Sequence, residues 1–269
     1  MRHIRFTRGV LLLTALFTGF FAFGGIMKTE ASGLKLKVVF NNIPFDPRLT
    51  TSWGFSCLIE GTENTILFDT GGNGRVLLSN MKLMNTDPML VKTVALSHIH
   101  ADHTGGLGDF LKQNPYVTVH LPESFPVSFQ RGVESYGAKV QVIASPVQLC
   151  DKVYSSGEMG DWIKEQALIL ETSGGLVIIT GCAHPGIVSI VRKAKELFKA
   201  PVYLVMGGFH LGGKTSQQNQ EIICFFKELG VKKVAPSHCT GEKAMVQFQE
   251  AWGENYLQGG AGAVIEVPR

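Results

Sequence analysis

The segment 98–103, which reads HIHADH, places three histidines and one aspartate within six positions. The whole chain of 269 residues has only eight histidines, so this clustering requires a chemical explanation. Residues 91–96 before it are mostly apolar and β-branched, which predicts a buried strand. Thr104 and the two glycines that follow it predict a turn that leads away from this strand.

These residues have the chemistry of a metal site at the end of a strand. If the extended backbone continues through His98 and His100, the two-residue period of a strand places both imidazoles on one face. Asp102 and His103 then offer a second pair of ligands where the turn begins. Neutral imidazole and carboxylate groups bind zinc and its first-row neighbours. The alternative, a polar loop that is rich in histidine by chance, does not explain the order His-x-His-x-Asp-His.

The second half of the chain alternates strands and helices, and a histidine follows each of three predicted strands. These pairs are 176–180 with His184, 202–206 with His210, and 233–235 with His238. Because successive strand ends meet at one edge of a sheet, we expect the three histidines to converge on the segment 98–103. A structural role is the alternative for each histidine, and it has most weight for His210.

The other predicted elements suggest a β-rich first half and outer helices. They are the strands 34–40, 55–59, 65–68, 116–121, 140–143, 167–172 and 263–267, and the helices 74–84, 108–113, 187–198, 216–229 and 242–252. His120 lies inside one of these strands without a neighbouring ligand residue, so we expect it to be structural. Residues 145–162 are expected to be mostly irregular and to form a loop on the substrate side.

The segment 97–107 resembles the signature of the metallo-β-lactamase superfamily, and the similarity extends over nearly all of the chain after about residue 34. The phrases TGCAHPG, GGFHL and SHCTG, at 180–186, 207–211 and 237–241, resemble one branch of that superfamily. This branch includes 7,8-dihydropterin-6-yl-methyl-4-(β-D-ribofuranosyl)aminobenzene 5'-phosphate synthase. The resemblance implies an α/β fold, a four-layered αβ/βα sandwich of two mixed β-sheets flanked by helices, formed by residues 34–269.

The resemblance also implies a centre of one or two divalent metal ions, with zinc expected and manganese or iron as alternatives. Residue by residue, it places His98, His100 and His184 around one ion, and Asp102, His103 and His238 around the other. Asp69 follows the strand 65–68, and the resemblance implies that it orients the metal-binding histidines. An aspartate that only initiates a turn is the alternative for this position.

Cys182 is a departure from the superfamily pattern. Many members have an aspartate here that bridges the two metals, and they have a ligand histidine before this strand where the present chain reads KEQ at 164–166. His184 is the candidate replacement for that histidine. Cys182 is then a soft ligand, a redox-sensitive neighbour or a packing residue beside the metals, and we favour packing. The missing carboxylate leaves the occupancy of the second metal open.

The predicted function is that of a metal-dependent hydrolase of an unknown ester, lactone or phosphoester. Metal binding lowers the pKa of water from about 15.7 toward 7, and the resulting hydroxide attacks the substrate. We expect Asp102 to orient this hydroxide, and His210 to contact the substrate oxyanion or to transfer a proton to the leaving group. The alternatives are a pterin-type transferase that resembles the synthase, and a non-catalytic metal-binding protein.

The N-terminal segment 1–31 has the organisation of a secretory signal peptide, with three arginines before an apolar run at 10–23. We therefore expect export to the periplasm or the exterior, with membrane contact only if this segment remains uncleaved. The five cysteines do not indicate a disulfide framework. The net charge of +3 includes this basic segment, so the expected partner is a small-molecule substrate rather than a nucleic acid.

Overall fold

Two mixed β-sheets face each other in the computed structural model, which describes residues 33–269. The strands of this part of the chain are β1 (Leu34–Asn41), β2 (Phe55–Glu60), β3 (Thr65–Phe68), β4 (Val91–Ala95), β5 (Thr118–Pro122), β6 (Lys139–Ile143), β7 (Val147–Cys150), β8 (Val153–Ser155), β9 (Leu168–Thr172), β10 (Gly175–Thr180), β11 (Val202–Gly208), β12 (Lys233–Ser237) and β13 (Val264–Val267). The α-helices are α1 (Gly74–Leu83), α2 (Ala101–Thr104), α3 (Leu107–Gln113), α4 (Val127–Ser135), α5 (Ile187–Phe198), α6 (Ser216–Glu228) and α7 (Glu242–Trp252).

Each sheet combines an antiparallel and a parallel part. The first sheet has the order β13-β1-β2-β3-β4-β5-β6, and the pairs from β3 to β6 are parallel. The second sheet has the order β12-β11-β10-β9-β8-β7, and β10, β11 and β12 are parallel. Helices α5 and α6 connect these three strands, so the carboxyl ends of β10, β11 and β12 lie at the same sheet edge.

Apolar side chains pack in three layers that separate the sheets and helices. The layer between the two sheets includes Leu36 and Phe68 from one sheet and Leu168 and Ile179 from the other. Helices α1, α3 and α4 cover the outer face of the first sheet, and α5, α6 and α7 cover the outer face of the second. The resulting order of helices, sheet, sheet and helices confirms the predicted four-layered sandwich.

Residues 145–162 differ from the prediction of a mostly irregular loop, since β7 and β8 form an antiparallel pair there. Strand β7 is the edge strand of its sheet, and two of its four residues are exposed. The sequence of β7 therefore has no clear apolar pattern of its own, and the strand forms because it pairs with β8. Helix α4 was not predicted either, because its sequence is polar and only Val133 is buried.

The strand before the signature also ends earlier than expected. Strand β4 ends at Ala95, and His98 and His100 lie in the connection to the short helix α2. His100 keeps an extended conformation at the start of that helix, with φ −61° and ψ 144°. The two imidazoles still meet, with ring centroids 4.7 Å apart.

The predicted signal peptide, residues 1–31, lies outside the described residues. Among residues 33–269, the helices are too short or too polar to cross a membrane. Neither the described residues nor the similar proteins support a signal peptide or secretion, so the prediction of a secreted protein is not retained.

Candidate metal centre

The predicted ligands come together at one edge of the sandwich, where strand ends from both sheets meet. Asp69 follows β3, and the signature segment follows β4. From the other sheet, His184, His210 and His238 follow β10, β11 and β12. A Cβ atom on Gly181 would lie 2.1 Å from the Ser97 hydroxyl, so only glycine allows this close approach of the two sheets.

The backbone is strained at four of these positions. Asp69, Ala183, His210 and His238 have positive φ angles of 59°, 62°, 53° and 52°. Left-handed conformations of non-glycine residues cost on the order of 1–3 kcal/mol each, and they concentrate at functional sites. The surrounding packing holds these side chains in fixed directions toward the strand ends.

His98, His100 and His184 form what we call the first donor group. One ligand atom of each lies within 4.8 Å of the others. His98 Nε2 is 3.1 Å from His100 Nδ1, close to the separation of about 3.4 Å for two nitrogens on one tetrahedral zinc ion. Burial lowers the pKa of His98 to about 2, and it also lowers the pKa of His100. Both imidazoles are therefore neutral at physiological pH, as metal ligands must be.

The second donor group consists of Asp102, His103, Cys182 and His238, whose ligand atoms also lie within 4.8 Å of one another. Asp102 Oδ2 is 3.5 Å from His103 Nε2 and 3.2 Å from His238 Nε2. Cys182 Sγ is 3.2 Å from His103 Nε2, so the thiol faces the ligand atoms directly. Burial opposes ionisation of Asp102, but the two imidazoles lower the pKa of this carboxyl group.

Four of the histidines have their Nδ1 atom occupied by an oxygen acceptor. The pairs are His98 Nδ1 with Ser97 Oγ at 2.9 Å, His103 Nδ1 with Asp69 Oδ2 at 2.7 Å, His184 Nδ1 with Glu165 Oε2 at 2.9 Å, and His238 Nδ1 with Asn42 Oδ1 at 2.8 Å. In this tautomer each Nε2 presents a lone pair to its donor group. Such contacts fix the orientation and basicity of metal-binding histidines.

Asp69 lies where the resemblance implied, beside the metal-binding segment. This buried carboxylate accepts hydrogen bonds from the amide and the hydroxyl of Ser97, both at 2.7 Å, and from His103. Burial opposes protonation of His103, but Asp69 and Asp102 raise its pKa to about 10. The electrostatic environment of His103 thus favours a positive charge at Nε2, which a proton or a metal ion can supply.

Glu165 is a site residue that sequence analysis did not assign. Its fully buried carboxylate accepts hydrogen bonds at 2.9 Å from the amides of Cys182, Ala183 and His184, and from His184 Nδ1. Burial opposes its ionisation, but these donors lower its pKa to about 2. The sequence did contain one signal for this residue. Glu165 is a charged residue shortly before the apolar strand β9, in the segment where many superfamily members have a ligand histidine. Asn42, 196 positions from His238, gave no comparable signal.

His210 and Cys239 lie beside the second donor group. The exposed His210 ring is 4.5 Å from the His184 ring, measured between centroids. Cys182, His210 and Cys239 form a third set of ligand atoms within 4.8 Å of one another. Contact with Cys182 and with His210 lowers the pKa of Cys239. The structure thus gathers all the predicted site residues, and places His120 in β5 outside the three sets.

Two observations test whether these residues fit metal ions. The buried His238 Nε2 has no hydrogen-bond partner, because its contact with Asp102 lacks hydrogen-bond geometry. A buried nitrogen without a partner costs about 1–3 kcal/mol, and a cation between these ligands would remove that cost. The donors are imidazole, carboxylate and thiol, which together suit first-row divalent metals. The two donor groups therefore fit divalent cations.

Known proteins similar to this chain include one curated enzyme with a defined product. The 7,8-dihydropterin-6-methyl-4-(β-D-ribofuranosyl)-aminobenzene-5'-phosphate synthase of Methanocaldococcus jannaschii is 33% identical over 262 aligned positions, covering 79% of this chain and 89% of the synthase. The solved structure of Tm1679, a metal-dependent hydrolase of the β-lactamase superfamily, is 27% identical with a TM-score of 0.75, covering 88% of this chain and 100% of that one. YhfI from Bacillus subtilis, a metallo-β-lactamase fold protein, shares the fold, with a TM-score of 0.65 at 15% identity over 87% of this chain and 99% of YhfI.

The similarity to the synthase corrects the leading functional prediction. Site chemistry and superfamily resemblance favoured a hydrolase, whereas the curated relative is a pterin-pathway synthase of the kind given as the alternative. Hydrolysis is supported only at the level of the superfamily, and we do not retain it as the function. The predicted branch within the superfamily is confirmed.

A family model for the metallo-β-lactamase superfamily matches residues 54–194, slightly more than half of the chain. The match contains the signature segment and the turn from Cys182 to His184. The synthase covers most of the remaining residues, and the solved structures reproduce the four-layered fold. The chain therefore belongs to the metallo-β-lactamase superfamily, a superfamily of enzymes.

Proposed function

We propose that this protein is a metal-dependent transferase that joins a 7,8-dihydropterin to an aromatic amine through the pterin 6-methyl carbon. The observation that carries this proposal is the 33% identity to the synthase over 79% of this chain. The name of the synthase describes a product in which a dihydropterin 6-methyl group is linked to a ribofuranosyl aminobenzene phosphate. All of the first donor group, and every member of the second except His238, lies within residues 54–194, which the family model matches.

Zinc is the metal that best suits the proposed site. Imidazole nitrogens and a cysteine sulfur are typical zinc ligands, whereas magnesium and calcium prefer oxygen. When bound, such an ion acts as a Lewis acid toward an anionic oxygen group of the substrate.

The proposed reaction forms one bond and breaks one. The amine nitrogen bonds to the 6-methyl carbon, and an oxyanion leaving group departs from that carbon with the bonding electron pair. The amine then loses a proton. We assign proton acceptance to His210, because its imidazole is exposed beside His184 and belongs to neither donor group.

A cleft of about 370 Å³ beside the second donor group is the proposed place for the pterin. Its lining includes Asn42, Trp53, His238, Cys239 and Glu242. The Trp53 side chain is 59% exposed, and its ring centroid is 5.0 Å from that of His238. A planar pterin can stack on this indole ring while the Glu242 carboxylate accepts hydrogen bonds from the pterin amino-pyrimidine edge.

The decisive experiment is a coupling assay with zinc-loaded protein. The substrates are a 7,8-dihydropterin with a diphosphate on its 6-methyl carbon, and 4-(β-D-ribofuranosyl)aminobenzene 5'-phosphate. We expect the coupled product by mass spectrometry, and about 100-fold less product with His210→Ala when both proteins hold two zinc ions per chain. Absence of the coupled product with fully metal-loaded protein would refute the proposed function.

A further inference from the structure

Three side chains beside the second donor group have the composition of a separate metal site. Cys182, His210 and Cys239 follow the adjacent parallel strands β10, β11 and β12. Their ligand atoms, two sulfurs and one imidazole nitrogen, lie within 4.8 Å of one another. In the proposed transferase reaction His210 accepts a proton and Cys182 faces the second ion, whereas Cys239 has no role. An ion held by all three side chains would occupy the His210 imidazole in place of that proton.

The backbone around Cys239 is shaped to direct its sulfur toward Cys182. A Cβ atom on Gly208 would lie 2.7 Å from Cys239 Sγ and 2.4 Å from the Gly181 carbonyl oxygen. Any other residue at position 208 would therefore displace the thiol. Cys239 Sγ lies 3.6 Å from the Cys182 carbonyl oxygen, so the two cysteines remain adjacent.

The exposure of the three residues allows a cation to enter from one side. Cys182 is buried, Cys239 is half-buried and His210 is exposed. Two cysteines and one histidine leave a fourth position of a tetrahedral site open, as in zinc sites that bind an exchangeable ligand. Thiolates select soft or borderline cations over magnesium and calcium.

We propose that Cys182, His210 and Cys239 form a thiolate-rich cation site, distinct from the two donor groups, for a thiophilic divalent ion such as zinc. The Cys182 sulfur belongs to this set and to the second donor group, so one thiolate would serve both. A disulfide between the two cysteines is the competing state, and it requires an external oxidant. Both thiols are free in the structure.

Cobalt binding to the reduced full-length chain tests this site, because thiolate ligands give cobalt a charge-transfer absorption in the near ultraviolet. The protein is kept reduced with a phosphine and titrated with Co²⁺. Bound cobalt is measured by elemental analysis alongside the absorption. Cys239→Ser is the test variant, and Cys224→Ser is its matched control, because Cys224 is an exposed thiol on α6.

We expect the wild-type chain and Cys224→Ser to bind one more cobalt ion per chain than Cys239→Ser, with a stronger charge-transfer band. Equal cobalt content and equal absorption in the wild type and Cys239→Ser would overturn the site. His210→Gln is a second test variant, which keeps the proposal testable if Cys239→Ser does not fold. The His210 side chain is exposed, so its replacement leaves the core packing intact. It should weaken binding of the additional ion by roughly tenfold or more, and unchanged binding would also count against the site.

Discussion

Glu165 should control both the stability of the fold and the affinity of the first donor group, and two substitutions can separate these effects. The carboxylate accepts four hydrogen bonds at 2.9 Å, from three backbone amides and from His184 Nδ1. It is fully buried, so water cannot replace it as an acceptor. Glu165→Ala leaves all four donors unsatisfied, whereas Glu165→Gln retains the shape of the side chain.

The cost of Glu165→Ala follows from those contacts. Each unsatisfied buried donor costs about 1–3 kcal/mol, but the donors share one turn and their costs are not additive. Substitutions that break a buried hydrogen-bond network belong to the class whose cost exceeds the usual range of about 0.5–3 kcal/mol. We therefore expect the free energy of unfolding of the metal-free protein to fall by about 3–5 kcal/mol.

Glu165→Gln should affect metal binding more than stability. One oxygen of the new amide can still accept from two amides, but its NH₂ group then faces the amide and the Nδ1–H of His184. His184 can relieve this conflict by moving its proton from Nδ1 to Nε2, which removes the lone pair that faces His98 and His100. We expect about 10- to 100-fold weaker metal binding at the first donor group.

Urea unfolding of the metal-free proteins measures the first effect, and zinc titration against a competing chelator measures the second. Wild-type zinc affinity in a folded Glu165→Gln protein would refute the tautomer argument. A Glu165→Ala protein as stable as the wild type would show that the four hydrogen bonds contribute nothing net to folding.

Three further predictions concern residues around the centre and in the first sheet. Asn42→Ala removes the acceptor of His238 Nδ1, so zinc affinity at the second donor group should fall about tenfold in a chelator titration. Trp53→Ala should raise the KM for the pterin about tenfold in the coupling assay while elemental analysis finds unchanged metal, because it removes only the stacking surface. Burial lowers the pKa of His120 to about 4, so the His120 side chain binds a proton more tightly in the unfolded chain than in the folded protein. As pH falls from about 6.5 toward 4, the wild type should lose up to about 3 kcal/mol more stability than His120→Gln in urea unfolding, and parallel pH profiles would contradict this.

The positions of the candidate metal ligands were predictable from sequence because each one follows an apolar strand. When such strands are parallel neighbours in a sheet, the residues that follow them lie at the same sheet edge, so the sequence alone predicts that these residues are close together. His98 and His100 met even though β4 ended at Ala95, because the extended backbone of His100 preserved their relative direction. The orienting groups did not follow this rule. Glu165 and Asn42 reach their histidines across 19 and 196 positions, and only the folded chain defines those contacts.

Cys182 illustrates a different limit of sequence analysis. The resemblance identified its position and the carboxylate that it replaces, but the residue type alone left ligation, redox chemistry and packing open. The separation of 3.2 Å between its sulfur and His103 Nε2 places the thiol among the ligand atoms. Burial alone would have suggested packing, because buried free cysteines usually behave as small apolar residues.

The reaction was predicted less well than the site, for a physical reason. Histidine and aspartate ligands define where cations bind, but the same centre can stabilise negative charge in hydrolysis and in group transfer. Residues that distinguish these reactions must contact the organic part of the substrate. In this chain the candidates are Trp53 and Glu242, which line the cleft beside His238 and have no recognisable spacing in the sequence. Substrate selection by this protein should therefore change with substitutions in that cleft, while substitutions in the donor groups should change metal content and turnover for every substrate alike.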